Sequence, residues 1–202
     1  MSSTKREKKL VTGNEDGYPY DNKSLLDSPD GEARIRRFIQ MMVDLEKDPD
    51  KRSWMAELMP HLTVVSSSPA TPHKGPTLII RFEVKHIHSN AIGNLQGGCA
   101  ATVFDYCSSL ALALVNKPGH WWFLGVTRTL TTTLLRPVPV GEVVLIESEV
   151  VNAGRTLAHL KARMVRESDG VVLATCEHDK VNTDPPAEVI VPETKSKSES
   201  KL

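Results

Sequence analysis

Residues 97–116, GGCAATVFDYCSSLALALVN, constrain the fold of this chain more than any other stretch. The run is almost wholly Ala, Leu, Val, Cys and Phe, and its length favours a helix over a strand. A helix that is apolar nearly all round must be buried on most sides. Lys117-Pro118-Gly119 ends it.

The flanking sequence supplies the cover. Thr77 to His88 is rich in Ile, Phe and Val and predicts a strand. After the helix come further β-type runs, at Trp121 to Leu135, Glu142 to Val151, Thr156 to Arg166 and Val171 to Val181. Turns are marked by Pro137, Pro139 and Gly141, by Ala153-Gly154, and by Asp169-Gly170, a strong hairpin signal. The expected order is strand, buried helix, then four strands in a meander. The fold class is α+β, with an antiparallel sheet wrapped around one long buried helix.

Upstream, Ser28-Pro29 predicts an N-cap and a first helical proline. Ile35, Phe38, Met42 and Leu45 keep helical spacing to about Lys47. A second short helix is expected around Trp54 to Met59, and Ser66 to Pro76 has the composition of a linker. Both ends of the chain are polar and predict disorder.

Composition narrows the function. Of 202 residues, 25 are Lys or Arg and 25 are Asp or Glu. A pI near 7.1 argues against nucleic acid as the main partner, because phosphate binding needs a basic face. Cys107 to Val115, broken by Ser108 and Ser109, is short for a membrane span. Three cysteines without a CxxC pair suggest neither a disulfide framework nor a zinc knuckle. No secretory h-region or Arg-rich presequence is visible.

Two features of the buried run invite chemistry. Asp105 lies eight residues in, too far for an N-cap, and a carboxylate in apolar surroundings costs several kcal/mol unless paired. Outside a functional role, it either faces a solvated edge or bonds a nearby hydroxyl such as Ser108 or Ser109. Gly97-Gly98, after the polar loop Ser89 to Gln96, opens the helix where backbone N–H groups and the dipole favour developing negative charge. Eight residues of helix separate the two features by roughly 12 Å. One water cannot bridge that gap, so joint action requires two antiparallel helices across a dimer interface.

The segments HSNAIGNLQGGCAATVFDYCSSLAL, WWFLGVTRTLTTTLLRPVPVGE and NAGRTLAHLKARMV resemble the hotdog-fold acyl-CoA thioesterases, of the phenylacetate-pathway and thioesterase superfamily member types. The resemblance covers about Thr77 to Asn182. Outside it, residues 1–28 are expected as a disordered N-terminal segment, 29–60 as a helical extension and 183–202 as a disordered tail. The resemblance implies a hotdog fold, with a thioesterase domain expected at 61–182. It further implies that Asn90 and the Gly97 N–H polarise a thioester carbonyl. Asp105 from the facing subunit is general base or nucleophile, and Thr127 helps hold the water. Gln96 stands where the family has histidine, and its amide can donate but cannot become charged.

The substrate implied is acyl-CoA, with coenzyme A entering only as part of it, and the assembly a homodimer or dimer of dimers. Gly98 belongs to the same loop, and Arg136, Arg155 and Lys180 are candidates to meet coenzyme A phosphates. No metal is required. His86 and His88, two apart on the expected strand, lack the further ligands of a site. Cys99 and Cys107 suit the core, and Trp121 and Trp122 suit packing. An enoyl-thioester hydratase or dehydratase is the alternative enzyme, weakened by Gln96, and a non-catalytic acyl-thioester binding module is the alternative from another class. The chain ends Ser200-Lys201-Leu202, a peroxisomal address read by an import receptor; a cytoplasmic location is the alternative.

Overall fold

The computed structural model describes Leu25 and residues 27–190. The expected segment 1–28 thus lies mostly outside the described residues, as does Ser200-Lys201-Leu202. Helix α1 spans Gly31–Leu45. Its N-cap is Asp30 rather than Ser28, because the Asp30 carboxylate accepts from the Ala33 N–H at 2.8 Å. Ile35 and Ile39 face the core.

No α-helix forms at 54–59. Turns and the 3₁₀ segments Pro49–Lys51 and Met59–His61 occupy this region, with Pro49 and Pro60 each at the start of a short segment.

Among the described residues six strands follow: β1 Leu62–Ser68, β2 Thr77–Glu83, β3 Val126–Leu134, β4 Val143–Ala153, β5 Leu157–Arg166 and β6 Val172–Val181. The first three residues of the expected linker, Ser66 to Ser68, are therefore the end of a strand, β1, paired antiparallel with β2. The sheet order is β1-β2-β4-β5-β6-β3, antiparallel throughout. Only β4, β5 and β6 form the expected meander. Strand β3 sits at the far edge beside β6, and the chain crosses from it to β4 through Pro137 and Pro139.

The strand expected from Trp121 begins only at Val126. Trp121 and Leu124 hold φ of 59° and 60°, which breaks the extended run. Gly125 follows at φ 60°, and a Cβ there would sit 2.4 Å from the Val181 oxygen, so the approach to β6 requires glycine.

Helix α2, Gly97–Ala111, lies against β2, β3, β4, β5 and β6. By length and composition alone, Gly97–Leu114 could cross a membrane. Here the helix is the core of the sheet, with Val103, Phe104, Cys107, Leu110 and Ala111 buried against Leu78, Ile80, Phe82, Ile146, Leu160 and Met164. Fully burying side chains of this kind contributes about 1.5–3 kcal/mol each. The C-terminal end of α2 is fastened by Arg34, which donates to the Ala113 oxygen at 3.1 Å and to Asn116 Oδ1 at 3.1 Å.

Within the expected disordered tail, Asp184 and Ile190 make contacts with the body of the fold. Asp184 accepts from the Trp122 and Phe123 N–H groups at 2.5 and 3.0 Å, and Ile190 is buried with Leu25 and Trp122.

Candidate active site

The loop before α2 is built by its own backbone. The Asn90 N–H donates to the Asn94 oxygen at 2.7 Å, and the Gln96 N–H donates to the His88 oxygen at 2.9 Å. The β3–β4 crossing holds it from outside, with Leu95 N–H on the Val138 oxygen at 2.8 Å and Val140 N–H on the Gly93 oxygen at 3.0 Å.

Asn90 Oδ1 accepts from the N–H groups of Ile92 and Asn94 at 3.1 and 3.2 Å. That fixes the side-chain carbonyl inward and leaves the Nδ2 hydrogens to donate. Gln96 repeats the device as N-cap of α2, with Oε1 accepting from the Cys99 N–H at 2.8 Å and its Nε2 still a donor. A Cβ on Gly98 would lie 2.9 Å from Gln96 Oε1, so this glycine makes room for the cap. The Gly97 and Gly98 N–H groups belong to the first turn, where no intrahelical acceptor exists. The N-terminal end of α2 therefore gathers amide donors and no charge.

Two turns along α2 the chemistry changes. Asp105 accepts from the Thr127 hydroxyl of β3 at 2.7 Å. The expected partners Ser108 and Ser109 are committed elsewhere: Ser108 lies 2.7 Å from His178 Nδ1 and 2.6 Å from the Phe104 oxygen, and Ser109 accepts from Lys180 Nζ at 2.7 Å. Nor is the Asp105 carboxylate enclosed in apolar surroundings. Its side chain is 44% exposed, because the helix face that bears it is turned toward the open β3 edge.

Behind Asp105 lies a buried group that the sequence reading missed. His178 on β6 is fully buried, with Nε2 3.0 Å from Thr127 Oγ1 and 3.3 Å from Asp105 Oδ1. An ionised carboxylate only accepts, so Thr127 must donate to it. The threonine oxygen then accepts from His178 Nε2–H, and Nδ1 faces the Ser108 hydroxyl, which donates to the Phe104 oxygen. Burial first, and the Lys180 charge second, push the His178 pKa down to about 4, against the pull of Asp105 and Asp179. The ring is neutral at neutral pH. The available signal was alternation on β6, where Cys176, His178 and Lys180 face inward while Glu177 and Asp179 face out.

Lys180, expected at a phosphate, is 4% exposed and inside this cluster, 2.7 Å from Ser109 Oγ and 3.5 Å from Thr127 Oγ1. Burial lowers its pKa and Asp105 raises it in part. Arg136 is exposed and donates to the Val172 oxygen at 2.6 Å, at the start of β6. Arg155 is exposed on the β4–β5 turn, where its oxygen accepts from Asn182, past the end of β6. At about 3.3 Å per residue the ten-residue strand holds these two arginines roughly 30 Å apart, so the three expected phosphate contacts do not converge within one subunit.

The histidine pair also departs from expectation. His86–His88 is a 3₁₀ turn, and His88 is buried with Nδ1 on the Lys85 N–H at 3.0 Å and Nε2 on the Glu57 oxygen at 2.8 Å. Burial raises the Cys99 thiol to about 11 and the Cys176 thiol to about 12, and also pushes Cys107 up, so none is a thiolate nucleophile near neutral pH.

Within one chain, Asp105 meets β3 at Thr127, whereas a Cβ on Gly97 would touch Leu134 at the strand's other end. Donors and acid lie along the same edge strand and do not meet.

Comparison with known proteins places this architecture. Residues 92–173 match the family model described as Thioesterase superfamily. Acyl-coenzyme A thioesterase 13 of Homo sapiens is 30% identical over 119 residues, which cover 59% of this chain and 78% of that protein. The structure of zebrafish thioesterase superfamily member 2 superposes with a TM-score of 0.60 at 24% identity, covering 73% of this chain and 96% of that one. A hypothetical thioesterase protein from Streptococcus pneumoniae, solved with coenzyme A, gives a TM-score of 0.52 at 19% identity over 63% of this chain and 89% of that one. With its sheet wrapped around α2 and its glycine-opened helix, the chain belongs to the thioesterase superfamily.

Proposed function

We propose that this chain hydrolyses acyl-CoA thioesters to free acid and coenzyme A, as a homodimer or a dimer of dimers whose active sites each take groups from two subunits. The observation that carries this reading is the placement of Thr127-Asp105 and Gly97 near opposite ends of β3, a strand with one of its edges unpaired among the described residues. Antiparallel pairing of β3 with the β3 of a second copy sets the Thr127 end of one against the Leu134 end of the other. Each Asp105 then approaches the other subunit's Gly97. The half-exposed Val126 and Leu134 on that edge support a cover, since open apolar edges invite pairing. A two-fold axis repeats the arrangement, giving two sites.

The thioester oxygen accepts from Asn90 Nδ2 and the Gly97 N–H, with Gln96 Nε2 beside them. Asp105 takes a proton from water as the water oxygen attacks the carbonyl carbon; direct attack by the carboxylate is the variant. The tetrahedral oxyanion collapses, the C–S bond breaks, and the thiolate leaves to be protonated. Thr127 orients the carboxylate, and neutral His178 holds Thr127 through its Nε2–H. Oxyanion donors of this kind contribute about 10²–10³ in rate and a positioned base about 10²–10⁴. The name of the human relative and the coenzyme A in the Streptococcus structure support coenzyme A as the leaving group.

His178 does not favour an enoyl hydratase instead, because its ring is fully buried with both nitrogens engaged. Thiol release from acyl-CoA by the wild-type protein, absent in Asp105→Asn, tests the hydrolase reading; binding with no thiol release over hours would favour a binding module. We also propose peroxisomal import through Ser200-Lys201-Leu202, tested by whether a fluorescent fusion loses its punctate pattern when Leu202 is removed.

A further inference from the structure

The inner face of β6 carries a charge that the hydrolytic steps above do not use. Lys180 is 4% exposed, on a strand paired along both edges, with Thr127 of β3 opposite it on one side and Ala158 of β5 on the other. Its side chain reaches from β6 to α2, where Nζ donates to Ser109 Oγ at 2.7 Å. Thr127 Oγ1 lies 3.5 Å from Lys180 Nζ and 2.7 Å from Asp105 Oδ1, so the two charges are at most about 6 Å apart. A hydrophobic side chain of similar length would serve the core as well or better, because burying a cation is costly.

The surroundings leave Asp105 as the group that this cation serves. Helix α2 carries no other charged residue, and β3 carries only Arg128, exposed at its bulge. On β6, Glu177 and Asp179 point to the outer face. Of the inward groups, burial pushes the Cys176 thiol up to about 12 and His178 down to about 4, which leaves Lys180 to carry charge near neutral pH.

We propose that Lys180 is the internal counter-charge of Asp105: anchored on Ser109 beside Thr127, its ammonium keeps the general base ionised and sets the acidic end of the pH range in which the enzyme works. The assignment rests on the proposed thioester hydrolysis, in which Asp105 acts only as the carboxylate. The interaction is mutual, and its other half is seen at Lys180, where burial lowers the pKa and Asp105 raises it in part. Folded, the lysine holds its proton less tightly than the unfolded chain does. Stability linked to it is therefore full only above the ordinary lysine value of 10.5 and is lost as pH falls through the folded value. Near neutrality the residue weakens the fold, the reverse of what a structural strut does.

The test is kcat and KM for octanoyl-CoA, from about pH 4.5 to 8, in wild type, Lys180→Met and Lys180→Gln, with melting temperatures taken alongside. Methionine keeps the length and loses every donor; glutamine keeps a donor for Ser109 but no charge. Both should raise the pH at which kcat falls to half by about one unit, the order expected for charges this close beside water. KM should stay within about twofold. Lys180→Met should melt no lower than wild type at neutral pH. An acid limb unmoved in both variants overturns the proposal. So does a wild-type profile restored by glutamine, which would make Lys180 a hydrogen-bonding strut. Should Lys180→Met fail to fold, the limb of Lys180→Gln decides alone. No thiol release by the wild type at any pH would sink the hydrolase reading itself, a failure distinct from these.

Discussion

The two ends of the proposed site are made by opposite means. At the start of α2, the donors are neutral, exposed and local: Asn90 and Gln96 are held by backbone N–H groups within four residues of themselves. Around Asp105 the groups are charged or titratable, and the contacts that hold them span 22 to 71 residues of sequence. A loop can aim an amide using its own turns. Fixing a carboxylate beside a buried imidazole and a buried ammonium needs three separate elements, α2, β3 and β6, locked in register. The donor end can therefore vary at small cost, as Gln96 suggests, whereas the acid end stands or falls as a network.

If the ends differ in this way, substitutions should differ in size. Asp105→Asn removes the base while keeping an acceptor for Thr127, and should lower kcat by about 10³ with a nearly unchanged melting temperature. Asn90→Ala should cost about 10² in kcat, because one oxyanion donor is lost; a purely KM effect would mean that Asn90 only binds. His178→Gln should cost roughly tenfold in kcat through the loosened Thr127.

That same variant carries a pH signature. Unfolded histidine titrates near 6.5 and His178 near 4 when folded, so between those values the unfolded chain binds a proton that the folded chain refuses. Stability is fully present above about pH 6.5 and is lost as pH falls through 4. The wild-type melting temperature should fall across this window, and His178→Gln should flatten the fall. An identical slope in both would remove the buried neutral ring from the account. The smallest effect is expected at the donor end, where Gln96→Ala should cost about 1 kcal/mol of stability from the lost N-cap, read by denaturant midpoint.

The same contrast explains what could be read from sequence. Helix α2, its glycine opening and the hairpins at Ala153-Gly154 and Asp169-Gly170 were legible because periodicity and turn chemistry are local. Strand β1 was obscured by the serines of its own second half, Ser66 to Ser68, which suit a linker as well as an edge strand. The displacement of β3 to the far edge was invisible because no local signal says which strand is a neighbour. Lys180 looked like a surface cation for the same reason. Only the pairing of β6 with β3, and Ser109 on the helix above, reveal it as an interior charge.

The central claim, that each site borrows its acid from the other subunit, has a direct test. Asp105→Asn and Asn90→Ala chains, each expected to retain about a hundredth or less of wild-type kcat alone, are unfolded together in equal amounts and refolded. Random pairing makes half the dimers mixed, each with one intact site of two, so about a quarter of wild-type thiol release should return. If both residues act within one subunit, no mixed dimer holds an intact site, and activity stays at the level of the separate variants.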